Sequence, residues 1–381
     1  MRRTWGMIIG VFSSAVFMFA GTGAGQESAS ASAGSAPGGA VPLEISAADS
    51  GMLGGVLCPP PGEYDIPKGD TVLLQGRSGA GRDRGPLWSG DASGTGCVVP
   101  LQMNGPRRVS ASFGEGTGPS GDSAPAFDVP EQGALHAFLG SGGMYGWFSA
   151  ARNSPALGAG ITHLFAADTP YTPVFTRPNL NFEHIMNGAA ADYDRSQNTP
   201  RTDPMQVRVL SPACVEVCWP AATSSWGIDC RMCYTFTGDN AIDMDFEAIP
   251  RRDEAPKGWL LFMWASYMQA ARARTLYFRG TDGDGEKWVS FGKTGTSGTV
   301  AGAGQPELPV DAGPAWFNVC AVPGVRFTLP FYYGLRDGDM NPGTTDDTTA
   351  FIMMFDDPMN TRFAVWNWGE DPAVSAWDWR K

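Results

Sequence analysis

From about residue 126 onward, apolar and polar side chains alternate with a period of two, the signature of half-buried strands. The clearest case is Ile242-Asp243-Met244-Asp245-Phe246-Glu247, where three apolar residues fall on one face and three carboxylates on the other. MQVRVLS, CVEVCW, DCRMCYTFT, GWLLFMWASYM, TLYFRG, KWVSFG, VRFTLPFYYG, AFIMMFD and RFAVWNW follow one another with short polar gaps. That makes about ten strands in roughly 180 residues, too many for one flat sheet and suited to two packed sheets. A helical turn is expected at one place only, Gln269 to Arg274. No internal repeat is visible.

The pattern upstream is different. Arg2 and Arg3 precede a short apolar run and then Ala20 to Gly25, mostly small residues. A basic start, a short apolar stretch and a small-residue zone define a secretory signal peptide over residues 1–25. The run is shorter than the roughly 20 residues a membrane span requires, so the mature chain is expected to carry no span and to be secreted or periplasmic. Residues 26–45 open with a Ser/Ala/Gly stretch that lacks the bulk to offset chain entropy, and they read as a flexible leader. Residues 46–125 hold short apolar runs broken by Gly, Pro and Asp turns, a small β module or extension. Residues 126–381 form the large sandwich, and the break at 114–125 is the expected boundary.

Composition supports the all-β class. The chain has 50 Gly, 30 Pro, 13 Trp and 21 Phe, which suits many strands and turns and few long helices. A net charge of -12 disfavours nucleic-acid phosphates and anionic membranes as partners and permits neutral sugars. Seven cysteines allow up to three disulfides in an exported chain. Cys214, Cys218, Cys230 and Cys233 have a spacing reminiscent of a zinc box, yet on strands Cys230 and Cys233 face opposite sides, so four ligands do not converge. Cross-strand disulfides or buried thiols are expected there, and Cys58 with Cys97 could staple the small module.

DCRMCYTFTGDNAIDMDFEAIPRRD, residues 229–253, resembles the core hairpin of the galactose mutarotase-like supersandwich: strand, polar turn, then a strand of alternating acidic and apolar residues. LLFMWASYM would be the strand that follows. The resemblance implies a two-sheet supersandwich facing carbohydrate. Where aldose epimerases of that superfamily carry a catalytic histidine, this chain has Trp264, Ala265, Ser266 and Tyr267, which puts sugar mutarotation in doubt.

Candidate chemistry concentrates in NLNFEHIMNG, residues 179–188. Glu183 and His184 could exchange protons with a sugar, since both groups can be tuned toward neutral pH. Adjacent strand residues point apart, so both reach one substrate only from a loop; Asn179, Asn181, Asn187 and Gly188 make a loop plausible. The alternative is a turn satisfied by internal hydrogen bonds. Tyr267 is the expected assisting acid or donor, Trp264 the stacking ring, Asn181 and Asn187 sugar-binding amides, and Arg279 the holder of an acidic group. His136 and His163, in apolar settings, read as structural. Asp243, Asp245 and Glu247 read as a solvated outer face or, more sharply, as a cation or substrate row. Asp282, Asp284 and Glu286, and likewise Asp337, Asp339 and Asn341, have oxygen spacing that suits Ca²⁺, though neither completes an EF-hand. No cofactor is required and no metal ligands are assigned. A G-x-S-x-G elbow, a P-loop and H-E-x-x-H are absent, and no dinucleotide fingerprint stands between a strand and a helix.

These readings converge on an exported carbohydrate-active protein that works on a poly- or oligosaccharide in a sandwich groove, as lyase, hydrolase or epimerase. The alternative is a non-catalytic carbohydrate-binding or cell-envelope protein of the same fold.

Overall fold

The structure, a computed structural model, describes residues 39–47, 56–77, 85–113, 124–152, 158–166, 180–237, 241–268, 271–292, 298–314, 316, 319–336, 349–367 and 377–380. Residues 1–25, read above as a signal peptide, and most of 26–45, read as a leader, fall outside them. Among the described residues helix is confined to Ala190–Asp192 and Tyr193–Asn198, and no helix is long and apolar enough to cross a membrane. Everything else that is regular is strand, so the chain is all-β.

The alternation read from the sequence is what places the strands. Along Ile242–Pro250 the apolar residues Ile242, Met244, Phe246 and Ala248 are buried while Asp245 and Glu247 are exposed. The strand belongs to a five-stranded antiparallel sheet with Ile228–Phe236, Cys214–Trp219, Gln206–Ser211 and Ala126–Asp128 in that order. On its outward face the carboxylates alternate with guanidinium groups: Arg208 and Arg231 flank Glu216 at 3.1 and 3.2 Å, and Arg231 reaches Glu247 at 3.4 Å. The acidic row is therefore a solvated outer face with its charge partly balanced across the strands.

The inward face packs on a ten-stranded sheet. Its order runs Asn181–Met186, Leu261–Met268, Trp377–Arg380, Arg362–Asn367, Gly298–Gly302, Ala321–Phe327, Ala271–Thr281, Phe331–Arg336, Thr349–Met354, with Glu286–Phe291 also paired to Ala271–Thr281. Phe182 and Trp264 of this sheet stack with centroids 5.2 Å apart, and Phe246 of the facing sheet meets the Trp264 ring edge-on at 4.7 Å. Trp264 Nε1 points at Met232 Sδ, 3.1 Å away. Two sheets joined face to face by interleaved aromatics make a sandwich.

The N-terminal strands form two further sheets. Thr71–Arg77 lies in a six-stranded sheet with Leu135–Ser141, Met144–Ala150 and Ala159–Ala166 on one side and Val56–Cys58 on the other; Val98–Gln102 also pairs with it. Gly62–Pro67, Ala40–Ala47, Arg107–Ser112 and Leu87–Gly90 make a four-stranded sheet. Successive residues of Thr71–Arg77 serve opposite cores: Leu73 packs in the large one, Val72 and Leu74 in a smaller one with Leu43, Ile45, Ile66, Trp88 and Val109. This explains why Val72, Leu73 and Leu74 are apolar in unbroken succession, since a strand covered on both faces needs no polar alternation. Strands from before and after residues 114–125 also share one sheet, because Thr71–Arg77 pairs in parallel with Leu135–Ser141.

Two local expectations change. The helical turn placed at Gln269 to Arg274 is not there: Ala271–Arg274 begin the strand Ala271–Thr281, whose pairing with Phe331–Arg336 overrides the helix-forming side chains, and 269–270 lie outside the described residues. All seven cysteines, Cys58 and Cys97 included, are free thiols.

Because Trp264 fills the junction of the two sheets and is only 2% exposed, Trp264→Ala should lower stability by about 3–5 kcal/mol, the usual cost of truncating a large core aromatic. Urea unfolding followed by circular dichroism measures it; a loss under about 1 kcal/mol would mean that this contact does not hold the sheets together.

Candidate functional site

The residues around Glu183 are not in a loop. Asn181–Met186 is a strand, every residue of it is buried, and it pairs with Leu261–Met268. The register slips between Phe182 and His184, so Glu183 is the extra residue of a bulge. A bulge lets neighbouring side chains share a side, and the Glu183 carboxylate comes within 3.9 Å of His184 Nε2. Its other oxygen accepts from Arg201, 2.7 Å away. His184 Nδ1 lies 2.8 Å from the Ser196 carbonyl, which can only accept, so Nδ1 carries a proton. The charged cluster thus ties the strand to the segment 193–205 that crosses over it.

The amides are equally occupied. Asn181 Oδ1 accepts the Ala159 N–H at 3.0 Å. Asn187 donates to Asp192 at 2.7 Å and to the Glu254 carbonyl at 3.0 Å, and accepts the Ala189 N–H at 3.0 Å. Relative exposure is 2% for Asn181, 2% for Glu183, 3% for His184, 0% for Asn187 and 2% for Trp264. No ligand reaches these five side chains while the sheets are packed. Trp264 is a core ring, not a stacking platform. The Tyr267 side chain is outside the described residues; its backbone lies in Leu261–Met268. Arg279 is brought nowhere near the rest, since five strands of the sheet stand between its strand and Asn181–Met186.

Arg279 marks a different place. Along Ala271–Thr281 Leu276 and Phe278 are fully buried, which turns Tyr277 and Arg279 outward. Tyr277 sits opposite Tyr333, and Arg279 opposite Trp288. Next to Trp288 and Tyr333 the inward neighbours Val289 and Tyr332 are in the core. The result is an outward aromatic face. The rings of Tyr277 and Tyr333 stack at 5.1 Å and 20°, and Trp288 stands edge-on to Tyr333 at 5.9 Å and to Phe331 at 6.0 Å. Trp288 is 54% exposed, the most open of the large apolar side chains described. Arg279 lies 5.8 Å from the Trp288 ring centre and 3.3 Å from Glu286, whose same oxygen accepts from Thr328 at 3.1 Å. Burial, helped by the neighbouring Tyr277, raises the Tyr333 phenol above its ordinary pKa, so it is a neutral donor at physiological pH. Sequence reasoning missed Tyr277 and Trp288. The available signal was parity: with Leu276 and Phe278 assigned inward, both must face out.

A second polar chain runs through the six-stranded sheet. Asp70 meets His136 Nε2 at 2.7 Å, His136 Nδ1 meets Ser149 Oγ at 2.7 Å, and Ser149 meets Thr162 at 2.9 Å. The types match a hydrolytic triad, but Ser149 is 0% exposed and cannot attack a substrate. His136 is held within this hydrogen-bonded chain, and His163 Nδ1 lies 3.3 Å from Thr162. Burial, reinforced by His136, lowers the His163 pKa to about 4. Of the calcium candidates, Asp282 is bound by Lys287 at 2.6 Å and Glu286 by Arg279, and no group of three or more possible ligands occurs among the described residues. Asp337, Asp339 and Asn341 lie outside them.

No protein-family model matches the chain, and neither does any curated protein or solved structure. Function has to be argued from the surfaces above.

Two outcomes follow from the buried groups. Glu183→Ala removes the carboxylate that Arg201 meets at 2.7 Å, and should cost about 3–5 kcal/mol in urea unfolding, with the Glu183→Ala, Arg201→Met pair costing less than the sum of the single changes. His163 binds a proton less readily folded than unfolded, so its contribution is intact above pH 6.5 and is lost as pH falls toward 4, by up to about 3 kcal/mol. His163→Leu should flatten the fall in stability over that window, and an unchanged slope would assign the fall to other groups.

Proposed function

We propose that the chain is a non-catalytic carbohydrate-binding protein working outside the cytoplasm, and that neutral polysaccharide lies along the outward face of Tyr277, Arg279, Trp288 and Tyr333. The observation that carries the reading is Trp288, more than half exposed and edge-on to the outward rings of Tyr333 and Phe331. Sugar rings offer flat C–H faces to such an indole, and exposed aromatic clusters of this kind mark interaction sites. Arg279 supplies N–H donors and Glu286 an acceptor beside it, and because the two are paired at 3.3 Å they present a nearly neutral edge to sugar hydroxyls. With a net charge of -12, the chain as a whole repels polyanions. Neutral glycans fit both facts better than acidic ones.

Export and the mutarotase-like supersandwich belong to the same proposal. The basic and apolar start of the sequence supports export. Support for the supersandwich is the hairpin Ile228–Phe236 and Ile242–Pro250 packed against the following strand, with Phe246 touching both Phe262 and Trp264. Catalysis by Glu183 and His184 is not proposed, since both side chains are sealed in the sheet.

Isothermal titration and pull-down on insoluble neutral glucans, mannans and xylans test the reading. Trp288→Ala should weaken binding about tenfold or more while leaving the unfolding midpoint within a few degrees, as expected for an exposed aromatic anchor. Undiminished affinity in that variant, or product released from any glycan, would overturn it.

A further inference from the structure

The outward face of the five-stranded sheet carries three thiols that the carbohydrate reading does not use, two of them in contact. Cys214 is in Cys214–Trp219 and Cys233 in Ile228–Phe236, with Cys214 opposite Thr235 and Glu216 opposite Cys233. The cysteines are therefore diagonal neighbours on one face, and their sulfurs lie 3.2 Å apart. Cys230, by contrast, points into the core, and Cys218 leans toward Glu216 at 3.6 Å. We infer that Cys214 and Cys233 are a thiol–disulfide exchange site, in which Cys214 is the attacking sulfur and Cys233 the resolving one.

The environment distinguishes the two roles. Cys214 is partly exposed; it accepts from Cys233 and, at 3.3 Å, from the Thr235 hydroxyl. Those two donors hold its pKa down to about 7 against burial and against the nearby carboxylates Glu216 and Asp245. Cys233 is pushed the opposite way, first by its bond to Cys214 and then by burial. Cys218, desolvated and beside Glu216, is raised to about 11 and is no nucleophile at neutral pH. Of the charged groups around the pair, Arg231 is already engaged by Glu216 and Glu247. A thiolate at Cys214 is thus held by hydrogen bonds alone.

The oxidant is a low-molecular-weight disulfide, RSSR. Cys214 thiolate attacks one sulfur, forming Cys214–S–SR and expelling RS⁻. Cys233 gives its proton to solvent and attacks Cys214 Sγ, forming the Cys214–Cys233 bond and expelling a second RS⁻. Two protein thiols lose two electrons, RSSR gains them, and the two protons end on two RSH. The sulfurs already lie 3.2 Å apart on paired strands, so bond formation needs a shift of about 1 Å to reach disulfide length.

Purified full-length protein is incubated with oxidised glutathione at pH 7.5, acid-quenched, alkylated and mapped by mass spectrometry. The expected product joins the peptides containing Cys214 and Cys233 and separates again with reduced glutathione. Cys233→Ser should stop at a glutathione adduct on Cys214, and Cys214→Ser should leave Cys233 alkylated. Absence of the Cys214–Cys233 link in the wild-type protein, or a link between other cysteines instead, would overturn the assignment. The wild-type map needs no variant to fold.

Discussion

Phe182, Trp264 and Phe246 meet where the five-stranded and ten-stranded sheets press together, and the rest of the molecule is arranged around that contact. A strand with period-two alternation has one face that must leave water, and a second such sheet is the means of covering it. With the aromatic junction fixed, the parity of every neighbouring strand follows: Met232, Tyr234 and Ile242 turn in, while Arg231, Cys233 and Asp245 turn toward the outer face. The same rule, applied twice, makes Thr71–Arg77 a wall shared by two cores.

That packing also decides what can act on a ligand. The bulge at Glu183 brings a carboxylate, an imidazole and a guanidinium together, a set that would serve acid–base chemistry at a surface. Inside the sandwich the same set is a charged tie between a strand and the segment crossing it. Hydrogen bonds to the Ser196 carbonyl and the Arg201 ion pair compensate the groups for lost hydration, as burial of charge demands. What remains for ligands is the outer surface, and its chemically distinct patches are the aromatic face at Trp288 and the paired thiols at Cys214 and Cys233.

Much of the fold was legible because alternation is a local property: the hairpin at 228–250 and the strands around Tyr277, Trp288 and Tyr333 stand where the pattern puts them. The order of strands was not legible, since it depends on pairings such as Thr71–Arg77 with Leu135–Ser141 that no window of sequence contains. The burial of Glu183 and its neighbours was not legible for a related reason. Asparagine and glycine on both sides of Glu183 look like loop chemistry, yet in NFEHIM the alternation is broken by a bulge, and burial satisfied the polar side chains from distant partners. Trp264 and Trp288 show the same limit. Residue type marks both as candidates for stacking, and only the face to which each is turned separates a core ring from an exposed one.

Hydroxyl-radical footprinting of the protein with and without a saturating neutral polysaccharide tests the central claim most directly. Oxidation of Trp288, Tyr277 and Tyr333 should fall on addition of the glycan, while the peptides around 181–187 and 201 stay as slowly oxidised as before. Unchanged oxidation at Trp288, together with ligand-dependent change at Glu183 to Asn187, would contradict the account and return the buried cluster to the centre of function.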